Sequence, residues 1–380
     1  MPTAFHVRAL ESIVRVELDE TLTEAERESI ASQWVDLSIG EDATANETIL
    51  AGLGSSDEET PHGVTPVRAP SVEELSDLLA SSVTLRGIGN LAGHALMLHA
   101  AAVSLEDGRV IGFVGPSGRG KTTAARVLGR RFGYVTDETL GVRADGSVIA
   151  YPKPLSIGDR PEYKQVSAAS AVGLRKPVDE LTLGAIVILD RRPDVDAPRI
   201  ETVPLTEALA DLVPQTSYFS ALSRPLFTLV QLARSTGGIR RVVYSEAEHL
   251  PDLIDEILET TEDDDAMVTE VADQSRRDCD CAKGGGGDVP ASSEAGTYRR
   301  TDHSDALLLD EQLLILRPSQ ITVLEGVGPV VWLAASDSTE ADLREAALSQ
   351  LPEPPEGVDP GQVVATTLQQ LVEAQLLARR

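Results

Sequence analysis

Residues 110–123 read Val110-Ile111-Gly112-Phe113-Val114-Gly115-Pro116-Ser117-Gly118-Arg119-Gly120-Lys121-Thr122-Thr123. A short apolar run enters a glycine-rich turn, and a helix-compatible stretch leaves it, from Lys121 to Phe132. The turn has the spacing G-x-x-x-x-G-K-[ST]. Its glycines let successive backbone N–H groups converge on one concavity that suits phosphate oxygens. In this pattern Gly115, Pro116, Ser117, Gly118, Arg119 and Gly120 form the cradle, and Thr123 lies in the first turn of the helix behind it. Lys121 reaches the β and γ phosphates, and the Thr122 hydroxyl reaches a Mg²⁺ ion. ATP and Mg²⁺ are therefore the expected cofactors. The bland alternative is a tight strand–helix turn with a surface lysine.

Working outward, an α/β pattern holds from 91 to 262. Short strands are expected at Gly133 to Thr136, Ser147 to Ala150 and Gly184 to Leu189, with a closing amphipathic helix from Ala247 to Thr260. The run Gly184 to Leu189 is apolar throughout, as suits a strand covered on both faces. Residues 1–90 read as a mixed α+β portion. Ile13 to Leu18 has strand character, and Thr23-x-x-Glu26 and Ser71-x-x-Glu74 fit capping boxes. Val72, Leu75, Leu78 and Leu79 share a helical face, while Ser55 to Pro70 reads as a loop. Residues 263–297 are expected to be a flexible linker, since Asp263 to Asp265 and Gly284 to Gly287 offer little to bury. The pattern resumes over 298–380. A hairpin is expected from Ala306 to Leu309 and Gln312 to Leu316, then helices over 319–335, 339–350 and 360–378.

The chain has 380 residues, 42% of them hydrophobic, enough for buried cores. It carries 33 Lys and Arg against 61 Asp and Glu, a net charge of −28. That charge argues against duplex nucleic acid or an anionic membrane as partner. The acidity is uneven. Residues 1–60 hold 14 acidic and 3 basic side chains, whereas residues 91–180, around the glycine-rich turn, hold 9 and 12. A locally basic site suits a polyanionic ligand, and the acidic flanks favour a neutral or basic peptide as acceptor. The most apolar stretch, Leu91 to Val103, is too short to span a bilayer, which takes about 20 residues. Charges at Arg8, Glu11 and Arg15 break any signal-peptide core. Cys279 and Cys281 cannot staple a fold, and two ligands do not close a metal site. A cytoplasmic protein is expected.

Phosphotransfer needs a carboxylate on the metal and commonly a second to take the acceptor's proton. The adjacent pair Asp137 and Glu138, just past a short strand, supplies both. Asp190, at the end of Ile186 to Leu189, is the alternative, although Arg191 and Arg192 beside it offer it ion-pair partners. His99 lies in an apolar run, where a satisfied core histidine is the ordinary outcome. Lys153 sits between Pro152 and Pro154, held rigidly enough for a phosphate contact, or else exposed as a loop lysine.

Taken together, His99-Ala-Ala-Ala-Val103, the glycine-rich turn, Thr136-Asp137-Glu138 and Tyr151-Pro-Lys-Pro-Leu155 resemble the HPr kinase/phosphorylase-like kinases, and the shorter branch beside ribosomal-peptide biosynthesis genes in particular. Order and spacing agree over 91–160, and the likeness extends more weakly over 1–262. The resemblance implies an α/β kinase of the HPr kinase/PEP carboxykinase-like type. It makes Asp137 the base, Glu138, in place of the family's second Asp, a carboxylate either on the metal or just behind its ligands, and His99 an active-site residue with Lys121. The longer family's C-terminal signature has no clear equivalent here, which puts HPr itself and phosphorylase activity in doubt. Related HPr kinases form rings, so a homo-oligomer is an implied state.

Residues 298–380 are similar to PqqD-like peptide-recognition domains, small winged helices that bind a leader peptide as an added strand. The pattern is a hairpin around Asp310-Glu311, then Gly328-Pro-Val-Val-Trp332-Leu, an acidic helix, and a last helix that ends with the run Gln369 to Leu377. A DNA-binding winged helix needs a basic recognition helix, and this one gains Arg379 and Arg380 only at its end. The expected function is an ATP- and Mg²⁺-dependent kinase acting on a peptide or protein Ser/Thr hydroxyl. A nucleotide-dependent adaptor and a small-metabolite kinase are the other readings.

Overall fold

The computed structural model describes residues 4–40, 42–55, 61–158, 165–261, 266–271, 296–352 and 357–380, and every element and count refers to those residues. The expected positions of Cys279, Cys281 and most of the linker lie outside them. The chain divides into two units, Met1–Asp264 and Asp265–Arg380. It is a mixed α/β chain with several sheets.

Alternating apolar residues start the first unit. β1 (Ala4–Ala9) and β2 (Ser12–Leu18) form an antiparallel pair whose Val7, Val14, Val16 and Leu18 are buried. α1 (Glu24–Ser32) opens on the expected capping box of Thr23 and Glu26. β3 (Ser38–Ile39), β4 (Glu47–Leu53) and β5 (Val64–Ala69) complete a sheet in the order β3-β1-β2-β4-β5. β5 corrects the expected loop over 55–70. Pro66 argued against a strand, but β5 is the sheet's edge, where a missing N–H is tolerated. α2 (Val72–Leu91) buries Leu75, Leu79 and Val83 in the same core. Ser71 caps it through Glu74 N–H, the one half of the expected box that forms.

The second layer carries the glycine-rich turn. It runs β6 (Leu96–Ser104), β7 (Arg109–Val114), α3 (Lys121–Gly129), β8 (Gly133–Thr136), β9 (Thr139–Val142) and β10 (Val148–Ile149). A small pair, β11 (Leu155–Ile157) and β12 (Gln165–Ser167), follows. Then come β13 (Thr182–Arg191), β14 (Arg199–Val203), α4 (Leu205–Leu212), β15 (Thr216–Ser217), α5 (Pro225–Ser235), β16 (Ile239–Tyr244) and α6 (Ile254–Glu259). The sheet order is β10-β9-β6-β7-β13-β16-β14, with β8 and β15 also on β6. β7, β13 and β16 are parallel. As its composition requires, β13 is covered on both faces: Ala185, Val187 and Leu189 share a core with α3, and α5 packs across the strand. The expected helix 247–260 splits into a tighter turn, Ala247–Leu253, and α6, because Pro251 has no N–H to continue an α-helix.

In the second unit, β17 (Val268–Glu270) lies within the stretch read as linker and pairs with the strand Asp305–Leu309. β18 (Thr297–Arg300) is followed by the expected hairpin, β19 (Asp305–Leu309) and β20 (Gln312–Arg317), turning through Asp310 at φ 49°. The expected helix 319–335 is instead β21 (Gln320–Leu324) and a short α7 (Gly328–Ala334). The β-branched alternation of Ile321-Thr322-Val323 favours a strand, and Gly326 at φ 59° breaks the run. β22 (Ser336–Thr339) leads into α8 (Glu340–Gln350), capped by Thr339 and Asp342. α9 (Pro360–Glu373) stops short of 378, turns at Gln375 (φ 58°), and returns as β23 (Leu377–Arg379) against β18. Trp332 anchors this core, its indole N–H donating to Leu376 O at 3.2 Å.

One ion pair ties the first sheet together. Asp19 accepts the Thr21 N–H at 3.0 Å and pairs with Arg68 of β5. Burial alone would raise its carboxyl, but the bonds from Thr21 and Arg68 outweigh that and hold it below the usual range. A depressed folded-state value favours the native state above the unfolded value, and the contribution is lost as pH falls through the folded one. Asp19→Asn should cost about 1 kcal/mol at pH 7, a deficit that shrinks below about pH 4. Urea unfolding at pH 7 and pH 3 measures it, and an equal deficit at both would contradict it.

Candidate active site

Strand β7 ends at Val114, beside the C-terminal half of β13, and hands the chain to the loop 115–120. Gly118 and Gly120 sit at φ 81° and 88°, left-handed positions that L side chains adopt at a cost. Gly120 is doubly constrained, because a Cβ there would come within 3.2 Å of the Tyr244 hydroxyl. That hydroxyl donates to Arg119 O at 3.0 Å, tying the loop to β16. No side chain caps the first turn of α3. Its N–H groups are thus left to whatever the loop holds.

Lys121 is buried and folds back over the loop. Its ammonium donates to Gly115 O at 2.6 Å and Pro116 O at 3.2 Å. Burial pushes its pKa down, offset in part by the carboxylates of Asp137 and Glu138. Thr122 is half-buried, and Pro116, Ser117, Arg119 and Thr123 are exposed.

The acidic pair lies on the turn between β8 and β9. Thr136 makes the turn: its hydroxyl accepts the Glu138 N–H at 3.2 Å and the Thr139 N–H at 3.3 Å. Glu138 O in turn accepts the Ala100 N–H at 3.0 Å, which fastens the turn to β6. The two carboxylates differ in exposure, 5% for Asp137 and 40% for Glu138. Lys153 Nζ stands 3.6 Å from Asp137 Oδ1 and 3.0 Å from Glu138 Oε2. Burial alone would lower the Lys153 pKa, but the two carboxylates outweigh it and raise it. The rigid Pro-Lys-Pro segment thus aims its lysine at the carboxylates, where a phosphate contact or a solvated loop was expected.

Asp190, the alternative carboxylate, is engaged elsewhere. Arg192 donates to it at 2.9 Å through Nε, and Arg119 lies 3.9 Å away. His99 projects from β6 opposite Thr139 and is exposed. Its pKa is pushed down, by burial first and then by Lys121, with Glu138 and Asp137 opposing. The imidazole is therefore mostly neutral near pH 7. His99 thus lies within electrostatic reach of Lys121, Asp137, Glu138 and Lys153, and Lys121 within reach of both acids. Tyr134 is a residue that sequence reasoning missed. It is fully buried on β8, and its hydroxyl donates to Asp137 Oδ1 at 3.0 Å. The spacing Tyr134-x-x-Asp137 was the available signal.

The residues fit the expected ligands. A loop with two left-handed glycines and an uncapped helix start suits phosphate oxygens. Among the described residues no group of three or more His, Cys, Asp or Glu could cage a metal. Mg²⁺ does not need one, since it commonly takes one or two carboxylates together with phosphates and waters. Thr122 and Glu138 would supply the protein's oxygens.

No family model matches the chain, and no curated protein does. Among solved structures, the HPr(Ser) kinase/phosphatase from Coxiella burnetii is similar to 43% of this chain and 93% of its own. The identity is 12% and the TM-score 0.23, a likeness that carries no argument about fold or activity.

The Lys153 ammonium is the counter-charge for both carboxylates. Lys153→Met should therefore lower stability at pH 7 by about 3 kcal/mol, the usual cost of stranding a buried charge. The urea midpoint measures it, and an unchanged midpoint would show that the pair is solvated.

Proposed function

We propose that this chain is an ATP- and Mg²⁺-dependent phosphotransferase that modifies a Ser or Thr hydroxyl of a peptide or protein. The carrying observation is that β6 sets the glycine-rich loop beside the acidic turn: Ala100 pairs with Val114, where that loop begins, and its N–H donates to Glu138 O, so that Asp137 and Glu138 act on the Lys121 charge. In this reading loop 115–120, Lys121, Thr122 and Thr123 hold the nucleotide, and Thr122 and Glu138 hold the metal. The bound nucleotide supplies the phosphoryl group, and the metal neutralises charge that develops on it. Asp137 takes the proton as the acceptor's O–H bond breaks. The acceptor oxygen gains the new bond to phosphorus, and the old bond breaks with its electron pair going to ADP. Lys121 stabilises negative charge, and neutral His99 lines the reacting side. Residues 298–380 capture a peptide and raise the effective concentration of its acceptor end.

Labelled ATP with arrays of neutral, basic and acidic Ser/Thr peptides tests this. Label is expected in neutral or basic peptides. Label in none, with tight ATP binding, would favour a binding module. Lys121→Ala should abolish nucleotide binding and transfer together. Asp137→Asn should keep most nucleotide binding and lose about 10²- to 10⁴-fold in turnover, and normal turnover would remove Asp137 as base. Deleting 298–380 should weaken transfer to a captured peptide, whereas unchanged activity would point to a free small acceptor.

A further inference from the structure

The two carboxylate oxygens of Asp137 have different surroundings. Oδ1 accepts the Tyr134 hydroxyl and faces Lys153. Among the described residues no side chain or backbone group bonds Oδ2. Torsion about the bond that turns a carboxylate is soft, so an unrestrained Asp would present either oxygen. Tyr134 is well placed to restrain it. Its own N–H donates to Arg175 O at 2.8 Å, and α3 presses on it so closely that a Cβ on Gly129 would lie 3.2 Å from Tyr134 Cβ. Burial, and then the Asp137 charge, hold its phenol well above the ordinary value, so it remains a donor at any working pH.

We propose that Tyr134 is a positioning residue: with Lys153 it occupies Oδ1 of Asp137, fixes the rotation of the carboxylate, and leaves Oδ2 as the oxygen that accepts the acceptor's proton. The role rests on the phosphotransfer reading. The proton leaves the acceptor hydroxyl, bonds to Oδ2, and departs to solvent after the product leaves. The other titratable groups within reach of Asp137 are Lys121 of α3, His99 of β6, Lys153 and its neighbour Glu138. All of them persist when Tyr134 loses only its hydroxyl.

The test is a double-mutant cycle on the full chain with MgATP and the best acceptor peptide of the array. Tyr134→Phe should lower kcat about 10- to 100-fold, the usual cost of a misplaced catalytic group, with the KM for ATP unchanged. In the Asp137→Asn background the same change should cost almost nothing, because the residue it acts through is already lost. Tyr151→Phe is the control. Its hydroxyl is equally buried but meets Thr84 at 2.9 Å, so kcat should hold within about twofold. Tyr134→p-aminophenylalanine keeps an N–H donor at the same reach and should restore turnover, which also guards against a Phe variant that melts. An undiminished Tyr134→Phe loss in the Asp137→Asn background would overturn the role, as would an equal loss in Tyr151→Phe. So would an inactive, folded p-aminophenylalanine chain. A wild-type chain that labels no acceptor overturns the phosphotransfer reading and this role with it.

Discussion

The site depends on one buried cation. Lys153 is 9% exposed at its side chain and touches both carboxylates of the β8–β9 turn. Two adjacent acids next to a loop built for anions would repel each other and the ligand. The ammonium resolves the conflict for both acids at once. Its stiff Pro152 and Pro154 neighbours limit the entropy lost in holding it there. Without this contact the buried Asp137 and its neighbour Glu138 would face each other with no counter-charge between them.

Strand β6 carries the frame around that contact. It pairs with β7, which launches the glycine-rich loop, and with β8 and β9, which bracket the acids. His99 is its solvent-facing member, and the Ala100 N–H holds the acidic turn by Glu138 O. A single strand thus sets the distance between the glycine-rich loop and the acidic turn. The neighbouring sheet of residues 4–69 shares its core with Met97, Ile149 and Tyr151, so it buttresses the same frame from behind.

The strand–turn–helix at 110–129 was legible because glycine spacing is a backbone requirement written directly in the sequence. The acidic pair was legible too, though spacing left Asp190 open as the alternative. The fold shows the pairing of Asp190 with Arg192 that the adjacent arginines suggested. Two of the hidden strands show why other parts were not legible. Pro66 masked β5, because sequence does not tell an edge strand from a central one. Ile321-Thr322-Val323 was read as helix because apolar residues in a short window fit either period. The direction of Lys153 and the contact of Tyr134 were invisible for a different reason. Flanking prolines and a three-residue offset say that a side chain is held, not what it is held against.

Lys121 has a consequence for selectivity. Its ammonium already has two carbonyl partners inside the loop, Gly115 O and Pro116 O. An incoming anion therefore competes with the loop for its lysine, and affinity reflects the difference between the two sets of bonds. A weak monovalent anion gains little from that exchange. A polyphosphate would also meet the uncapped N–H groups at the start of α3, which a small anion cannot span, and so has more to gain from the exchange. In the proposed function the loop's own backbone would thus set a threshold that favours a polyphosphate over small anions.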